Sequence, residues 1–268
     1  MARNALITSR DRARTGTMSG GSWTGLTKVQ DHNPQNVAES TDALAASTKF
    51  DVDLGASYSL GLFLFANLYS SYDATVRLRA GTVADFSSGV VYDSTAVDVV
   101  PSDANGKYSS DEWNALGRCR IFIPTAPATA RYIRVEITSS VAVQLGVFCA
   151  CQVVEPSRNL LDFGDPMVIE DLSEVRRVPF GSTYITAVSA RVRALDFGSR
   201  YLGSSEALTS LFPLAVSAGN STPLIIAPNP EDTNNLSRTV IYGLLEANQF
   251  SNSFFGRYSW VGRIKQLT

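Results

Sequence analysis

Residues 131–137 read RYIRVEI, and this segment decides the fold class of the chain. From Ile133 onward, apolar side chains occupy every second position, with charged side chains between them. Such alternation predicts a β-strand with one face in a core and the other near water. Residues 50–55, FDVDLG, repeat the pattern, with Asp51 and Asp53 on the polar face. Two strands of this kind frame one β-sandwich, and the other segments are interpreted relative to them.

The composition is that of a globular chain with a modest charge. Its 268 residues give room for one large domain or two ordinary ones. The net charge is −2, so there is no basic field to attract nucleic acid or a membrane surface, and we expect neither as a partner. The longest apolar run, residues 60–66, is far shorter than the ~20 residues of a membrane-spanning helix. The amino terminus has charges but no apolar segment, so we expect no secretion signal.

Residues 1–48 show little periodicity and are rich in Thr, Ser and Gly. We predict an N-terminal arm that becomes ordered against a neighbouring subunit, with a mobile tail as the alternative. The prediction rests on apolar residues that a pure linker would not carry, namely Leu6, Ile7, Trp23, Leu26 and Val29. Contact with nucleic acid is a minor option, because no aromatic residues are interleaved with the arginine cluster, which consists of Arg3, Arg10, Arg12 and Arg14.

Residues 49–156 carry short strand signals at fairly regular spacing, which is typical of a β-sandwich. The order is FDVDLG, the apolar run LGLFLFANL at 60–68, ATVRLRAG at 74–81, and then RYIRVEI. This order resembles the galactose-binding-like (discoidin-type) family over roughly residues 49–154. The resemblance implies a jelly-roll β-sandwich. The disulfide that often closes that sandwich has no counterpart here, and none of the family's ligand residues can be matched to this sequence.

A second region, residues 157–268, follows a boundary rich in Pro and Gly at 156–165. Its strongest signal is a long strand at 184–197, which we expect to bend or project because strands usually have about 5–6 residues. One short helix is predicted in SSEALTSLF at 204–212, ending at Pro213. We therefore predict a second β-rich domain with one short helix, which acts in assembly.

The order of elements in this second region is similar to the C-terminal regions of minor tail and distal-tail-type proteins of tailed bacteriophages and gene transfer agents. The similarity spans about residues 182–267 and includes PLIIAPNPED at 223–232, VIYGLL at 240–245 and YSWVGRIKQL at 258–267. It implies a virion structural protein of the tail, made in the cytoplasm of the host bacterium. It also implies a homo-oligomer, as a ring or trimer, that contacts other tail proteins.

No catalytic, cofactor or metal motif stands out in the sequence. His32 is the sole histidine, and no nucleophile motif lies near it, so a Ser-His-Asp or Cys-His site lacks its base. Cys119, Cys149 and Cys151 are too few for a disulfide framework and have no further Cys or His at zinc spacing. We expect buried structural thiols, no metal, no cofactor and no enzyme. A hydrolase with a carboxylate pair stays open, because three-dimensional distance defines such a pair.

Loop aromatics are the candidate residues for recognition of a glycan or of a neighbouring subunit. One group is Trp113 with Tyr108, Asp111 and Arg118, and a second is Tyr69 with Tyr72 in NLYSSYD. Binding sites for small ligands combine aromatic side chains with a few polar groups in this way. We favour local packing or a subunit contact for these residues, with sugar binding as the rival.

Together these observations predict a two-domain structural component of a tailed phage or phage-like particle. We expect a minor tail protein at the distal tail, which acts through symmetric subunit assembly. The alternative is a carbohydrate-binding module that recognises a glycan on the host cell surface.

Overall fold

The computed structural model describes residues 3–157, 167–177, 183–187, 191–218, 221–254 and 256–267. Within these ranges the chain is mainly β, as predicted. The strands are β1 (Leu6–Asp11), β2 (Thr17–Ser19), β3 (Trp23–Thr24), β4 (Ala38–Ser40), β5 (Phe50–Leu60), β6 (Leu62–Tyr69), β7 (Thr75–Gly81), β8 (Val90–Asp93), β9 (Val97–Asp98), β10 (Ser102–Asp103), β11 (Gly106–Lys107), β12 (Arg120–Phe122), β13 (Ala128–Thr138), β14 (Gln144–Val154), β15 (Met167–Asp171), β16 (Glu174–Arg177), β17 (Thr183–Ala187), β18 (Arg191–Gly203), β19 (Leu224–Ala227), β20 (Ile241–Phe254) and β21 (Arg257–Gln266).

The helical segments are all short. They are α1 (Ala45–Thr48), α2 (Ser110–Ala115), α3 (Ser204–Glu206), α4 (Phe212–Ser217) and α5 (Leu236–Thr239), with a π-helical turn over Ala207–Leu211 and 3-10 turns over Ala13–Thr15 and Leu26–Gln30. Among the described residues, no helix is long and apolar enough to cross a membrane.

The smaller sheet of the sandwich has the strand order β2-β5-β13-β7-β8, with β9 also paired to β7. RYIRVEI lies in β13, between FDVDLG in β5 and β7. Ile133 is opposite Val52 on one neighbour and Ala80 on the other, and all three side chains are at most 1% exposed. The alternation seen in the sequence therefore turns one face of this sheet into the sandwich core, which confirms the predicted sandwich.

The outer face of the smaller sheet carries paired charges. Asp51 accepts from Arg134, and Asp53 from Arg131, each through two hydrogen bonds of 2.7–2.9 Å. The hydrogen bond from Arg131 lowers the pKa of Asp53 below its ordinary value of 3.8. FDVDLG and RYIRVEI are thus held together by apolar contacts on the inner face of the sheet and by ion pairs on its outer face.

The larger sheet runs through the whole molecule in the order β12-β6-β14-β1-β19-β20-β21-β18-β15, with β4 paired to β14 and β3 paired to β4. Its central strands β6 and β14 are buried on both faces. Phe65 and Phe148 face the sandwich core, with ring centroids 5.0 Å apart, whereas Leu64 and Cys149 belong to the core on the opposite face. The apolar run at 60–68 reads as nearly continuous because neither face of β6 meets water.

The first strand joins the two halves of the larger sheet. β1 pairs with β14 on one side and with β19 on the other. Leu6 packs in the core behind the sandwich and Ile7 in the core of the C-terminal region, and both are 0% exposed. The predicted N-terminal arm is therefore wrong, because the apolar residues assigned to a neighbouring subunit find their partners within the same chain.

The rest of the first 48 residues packs along the sandwich. The Trp23 ring meets Phe50 edge-on at 5.8 Å between centroids, and Trp23 Nε1 donates to the Lys49 carbonyl at 3.1 Å. Val29 is fully buried in the same core. These contacts explain the apolar residues that distinguish this segment from a linker.

The C-terminal region places the α3–α4 segment over the sheet formed by β18, β20 and β21. Leu211 and Leu214 of this segment share a core with Trp260 of β21. The sequence predicts that the helix ends at Pro213, but it continues to Ser217. Pro213 lies in the first turn of α4, where the missing N–H of proline is tolerated.

The structure describes two strands, β17 and β18, within and around the segment 184–197 that the sequence predicts as one long strand. β17 pairs with β16, whereas β18 pairs with β15 and β21. Residues 188–190 lie outside the described residues, as do 158–165 of the predicted domain boundary. The C-terminal region is β-rich, as predicted, but it has several short helical segments where the sequence predicts one, and it shares one sheet with the sandwich.

Candidate functional site

A hollow of about 180 Å³ opens at one end of the sandwich and contains four of the five aromatic and arginine candidates. We call it the loop-end hollow. The end of β6 at Tyr69 forms one wall of the hollow, and α2 with the turn after it forms the other wall. The lining residues are Tyr69, Ser70, Tyr72, Val100, Ser110, Trp113, Asn114 and Arg118. Sequence separation hid this grouping, because the two walls come from segments about 40 residues apart.

Two tyrosines of the loop-end hollow face solvent. Tyr69 is 45% exposed and Tyr72 is 52% exposed. The Tyr72 hydroxyl donates to the Tyr108 carbonyl at 3.0 Å, which fixes its ring. Tyr69 lies under the guanidinium of Arg118, whose central carbon is 4.9 Å from the ring centroid. The arrangement offers flat apolar surface beside hydrogen-bond donors.

Trp113 and Tyr108 are core residues rather than surface aromatics. Trp113 is 6% exposed and contributes only to the wall of the hollow, because α2 turns that side chain toward the sandwich core. Tyr108 is 2% exposed and does not line the hollow. Its hydroxyl donates to the Asn234 carbonyl at 2.7 Å, and Arg238 stacks on its ring at 4.1 Å. Their burial agrees with the local packing that the sequence favoured for these two residues and not with the rival, an exposed sugar-binding patch.

α2 is held in place by its own capping residue. The Ser109 hydroxyl accepts from the Glu112 N–H at 3.1 Å, which satisfies one of the free donors at the start of the helix. After one and a half turns the chain leaves the helix at Gly117, in the left-handed region with φ +69°. This turn delivers Arg118 to the mouth of the hollow.

Arg118 itself has a left-handed backbone, with φ 49°, which is uncommon for a residue with a side chain. The Arg118 N–H donates to the Trp113 carbonyl at 3.0 Å, and the Arg118 carbonyl accepts from the Leu68 N–H at 3.2 Å. The guanidinium Nε donates to Asn114 Oδ1 at 2.8 Å. Such strained residues persist where the surroundings fix them, and they are frequent at functional sites.

A second hollow, of about 320 Å³, lies on the other side of Arg118 and is lined entirely by polar residues and glycine. We call it the polar hollow. Its lining residues are Gln35, Asn67, Asn114, Gly117 and Arg118. Asn67 is also left-handed, with φ 51°, and its side chain donates to the Pro34 carbonyl at 2.8 Å. Sequence periodicity did not indicate Gln35, which lies in a turn, or Asn67, which is a polar residue near the end of the apolar strand β6.

The charge of Arg118 is not neutralised by the protein. Among the residues that the structure describes, no carboxylate forms an ion pair with it, whereas Arg131 and Arg134 on the outer face are both paired. At the other wall, Lys107 lies 5.5 Å from the Tyr72 ring centroid and pairs with Asp98 at 3.1 Å. The two hollows therefore share one open cation flanked by amides and tyrosines.

The comparisons with known proteins give similarity to solved structures only. No known family matches the sequence, and no curated protein does. The chain is similar to the lectin domain of lectinolysin complexed with Lewis b antigen, with 18% identity over 54% of this chain and 98% of that domain and a TM-score of 0.37. It is similar to the family 32 carbohydrate-binding module of Clostridium perfringens NanJ in complex with galactose, with 14% identity over 54% and 98% and a TM-score of 0.37. It is also similar to a fucose-binding module of Streptococcus pneumoniae, with 18% identity over 52% and 93% and a TM-score of 0.38.

Proposed function

We propose that the chain binds carbohydrate at the loop-end hollow, with Arg118 shared between that hollow and the polar hollow. The observation that carries the proposal is Arg118, fixed in a left-handed turn, stacked on the exposed Tyr69 and without a carboxylate partner among the described residues. The loop-end hollow combines a cation, the Asn114 amide and two exposed aromatic rings, and these are the groups that hydroxyl-rich ligands need.

The chemistry of a sugar fits these groups. One face of a pyranose carries C–H bonds and packs on an aromatic ring, while its hydroxyls need donors and acceptors at the rim. Tyr69 and Tyr72 supply rings that are apolar on the face and polar at the tip. Arg118 and Asn114 supply fixed donors, and a guanidinium can donate two parallel hydrogen bonds to a pair of ligand oxygens.

The site is already ordered before any ligand arrives. Backbone hydrogen bonds hold the Arg118 turn on both sides, and the hydroxyl of Tyr72 is anchored. Immobilising a free side chain on binding costs about 0.5–1.5 kcal/mol, and this ordering lowers that cost. The hollow can then bind a small sugar unit with less loss of side-chain entropy.

We expect Tyr69→Ala and Arg118→Met each to weaken glycan binding at least about tenfold, or ~1.4 kcal/mol. The measurement is a glycan array with the full chain, followed by calorimetry with the best-bound glycan. The array includes neutral and carboxylate-bearing glycans, because an unpaired guanidinium favours an anionic group.

The control is Tyr132→Ala. Tyr132 is partly exposed on the smaller sheet, and Arg131 lies 4.9 Å from its ring centroid, the same stacking distance as for Arg118 and Tyr69. This variant is expected to bind like the unchanged chain. No array binding by the unchanged chain, or equal loss in Tyr132→Ala, would overturn the proposal.

A second candidate function is the tail role implied by the sequence resemblance, in which the chain acts through subunit assembly. One observation favours it. The α3–α4 segment exposes an apolar stripe of Leu208, Phe212 and Val216, which are 45%, 45% and 67% exposed. Exposed apolar residues that form a patch are typical of protein interfaces. The glycan site and an assembled particle are compatible, because the stripe and the hollows lie on different segments.

Assembly predicts that the chain copurifies with particles at a fixed ratio to the capsid protein and forms a closed homo-oligomer in solution. Quantitative mass spectrometry of particles and light scattering of the purified chain measure these two properties. Phe212→Ser should lower the oligomer fraction, while Leu172→Ser, at a residue that is 49% exposed away from the stripe, should not. A monomer that is absent from particles would exclude this role.

A further inference from the structure

A buried cluster of side chains that can bind a metal lies where β1 meets β14, and none of its members lines either hollow. It combines Asp11, His32 and Cys149, whose ligand atoms all lie within 4.8 Å of one another. Their side chains come from the end of β1, the loop after the second 3-10 turn, and the middle of β14. Asp11 and His32 are 4% and 7% exposed at the side chain, and Cys149 is 1% exposed.

The carboxylate of Asp11 is held from both sides. Its Oδ1 accepts from the N–H groups of Ala13 and Ala150, each at 2.9 Å. Its Oδ2 lies 2.9 Å from His32 Nε2. Backbone hydrogen bonds to one oxygen leave the other oriented toward the histidine, which is how proteins orient a carboxylate that binds a metal.

His32 is held in place by its backbone and not by a hydrogen bond to Nδ1 of its ring. Its φ is 64°, in the left-handed region, and its carbonyl accepts from the Tyr242 hydroxyl at 2.9 Å. Its Nδ1 is buried and has no hydrogen-bond partner. The ring therefore has one nitrogen next to Asp11 and a second that no protein group among the described residues uses.

A second thiol lies next to the cluster. Cys151 lies directly opposite Asp11 in the ladder between β1 and β14 and is 1% exposed. It follows Cys149 by two residues, so both side chains point to the same face of the strand. The sequence lacked further zinc ligands at regular spacing, and the fold supplies Asp11 and His32 from elsewhere in the chain.

We propose that Asp11, His32 and Cys149 bind a zinc ion, with Cys151 as the fourth ligand. Zinc in closed sites takes four ligands in a tetrahedron, and sulfur, imidazole nitrogen and carboxylate oxygen are its usual donors. Each thiol that binds releases its proton to water, so two protons leave when both cysteines bind. The site would tie the first strand to the sandwich, and it does not depend on the proposed glycan binding.

The test is the metal content of the untagged full chain after exposure to zinc and extensive dialysis. We expect about one zinc ion per chain. With cobalt in place of zinc, we expect a cobalt–thiolate charge-transfer band in the near ultraviolet and the visible bands of tetrahedral cobalt.

Cys149→Ser and His32→Gln are expected to lose the charge-transfer band and the bound zinc. Cys119→Ser is the matched control, since Cys119 is a buried thiol, 3% exposed, outside the cluster. It should keep both signals. Circular dichroism of each variant shows whether it is folded, so that loss of metal is not confused with loss of structure.

The proposal is overturned if the folded, unchanged chain retains less than about 0.1 zinc ion per chain. It is also overturned if folded Cys149→Ser keeps the full zinc content, or if the cobalt complex shows no thiolate band. In those cases the cluster is a hydrogen-bond network around Asp11 alone.

Discussion

A chain that begins at residue 13 is expected to show no cooperative unfolding transition. The deletion removes β1, whose buried Leu6 and Ile7 belong to two different cores. Loss of one such side chain costs about 2–5 kcal/mol, and the total free energy of unfolding of a domain is only about 5–15 kcal/mol. The deletion also leaves the edges of β14 and β19 without their partner, and open edges promote aggregation.

Urea denaturation followed by circular dichroism and tryptophan fluorescence measures this effect. Leu6→Ala and Ile7→Ala separate the two cores, and each should lower the free energy of unfolding by about 2–5 kcal/mol. Arg10→Ala is the matched control on the same strand, because Arg10 is exposed, and it should change stability by less than about 0.5 kcal/mol. A truncated chain with an unchanged transition would mean that the first strand is an appendage.

Trp260→Ala is expected to destabilise the C-terminal region by about 3–5 kcal/mol. The indole is 0% exposed. It stacks on Phe250 at 5.3 Å, meets Phe197 edge-on at 5.0 Å, and donates from Nε1 to Asn248 Oδ1 at 2.7 Å. The substitution removes the largest side chain of this core and leaves a cavity between two aromatic rings.

Two further variants make the experiment specific. Val261→Ala, at the next residue, changes a side chain that is 49% exposed on the opposite face of β21, and it should cost less than about 0.5 kcal/mol. Trp260→Phe keeps an aromatic ring but leaves the Asn248 oxygen without its donor, so an intermediate loss is expected. Equal losses for Trp260→Ala and Val261→Ala in chemical denaturation would contradict the packing described here.

The sequence was sufficient for the sandwich because its signals are local. Alternation in residues 50–55 and 131–137 assigns one face of each strand to the core, and their register follows from the same pattern. The continuous apolar run in β6 likewise identifies a strand buried on both faces. These features depend on neighbours within a few residues, so no knowledge of the rest of the chain is needed.

The placement of the first strand could not be predicted in this way. Leu6 and Ile7 are consecutive apolar residues, and their burial on opposite faces depends on β14 and β19, which are far away in sequence. The change of pairing partner along the strand predicted at 184–197 was hidden for a related reason. Strand propensity continues through this segment, but the pairing partners change between β17 and β18.

The candidate site was predictable in residue type but not in exposure. Tyr69, Tyr72 and Arg118 lie together around the loop-end hollow, while Tyr108 is sealed by Arg238 from a distant segment. An aromatic residue in a polar loop has the same sequence signal whether it faces water or the core. The partners of His32 were hidden for the same reason, since Asp11 and Cys149 approach it only in the fold.

The strand shared by the two halves of the larger sheet also limits how early this sheet can be completed during synthesis. Ile7 leaves the ribosome early, but its partner Ile226 is made more than 200 residues later. At about 5–20 residues per second, the first strand waits roughly 10–40 s before its second neighbour exists. β14 can pair with the first strand earlier, but Ile7 lacks the rest of its core until β19 exists, so the nascent chain should depend on chaperones more than a protein whose early strands pair with one another.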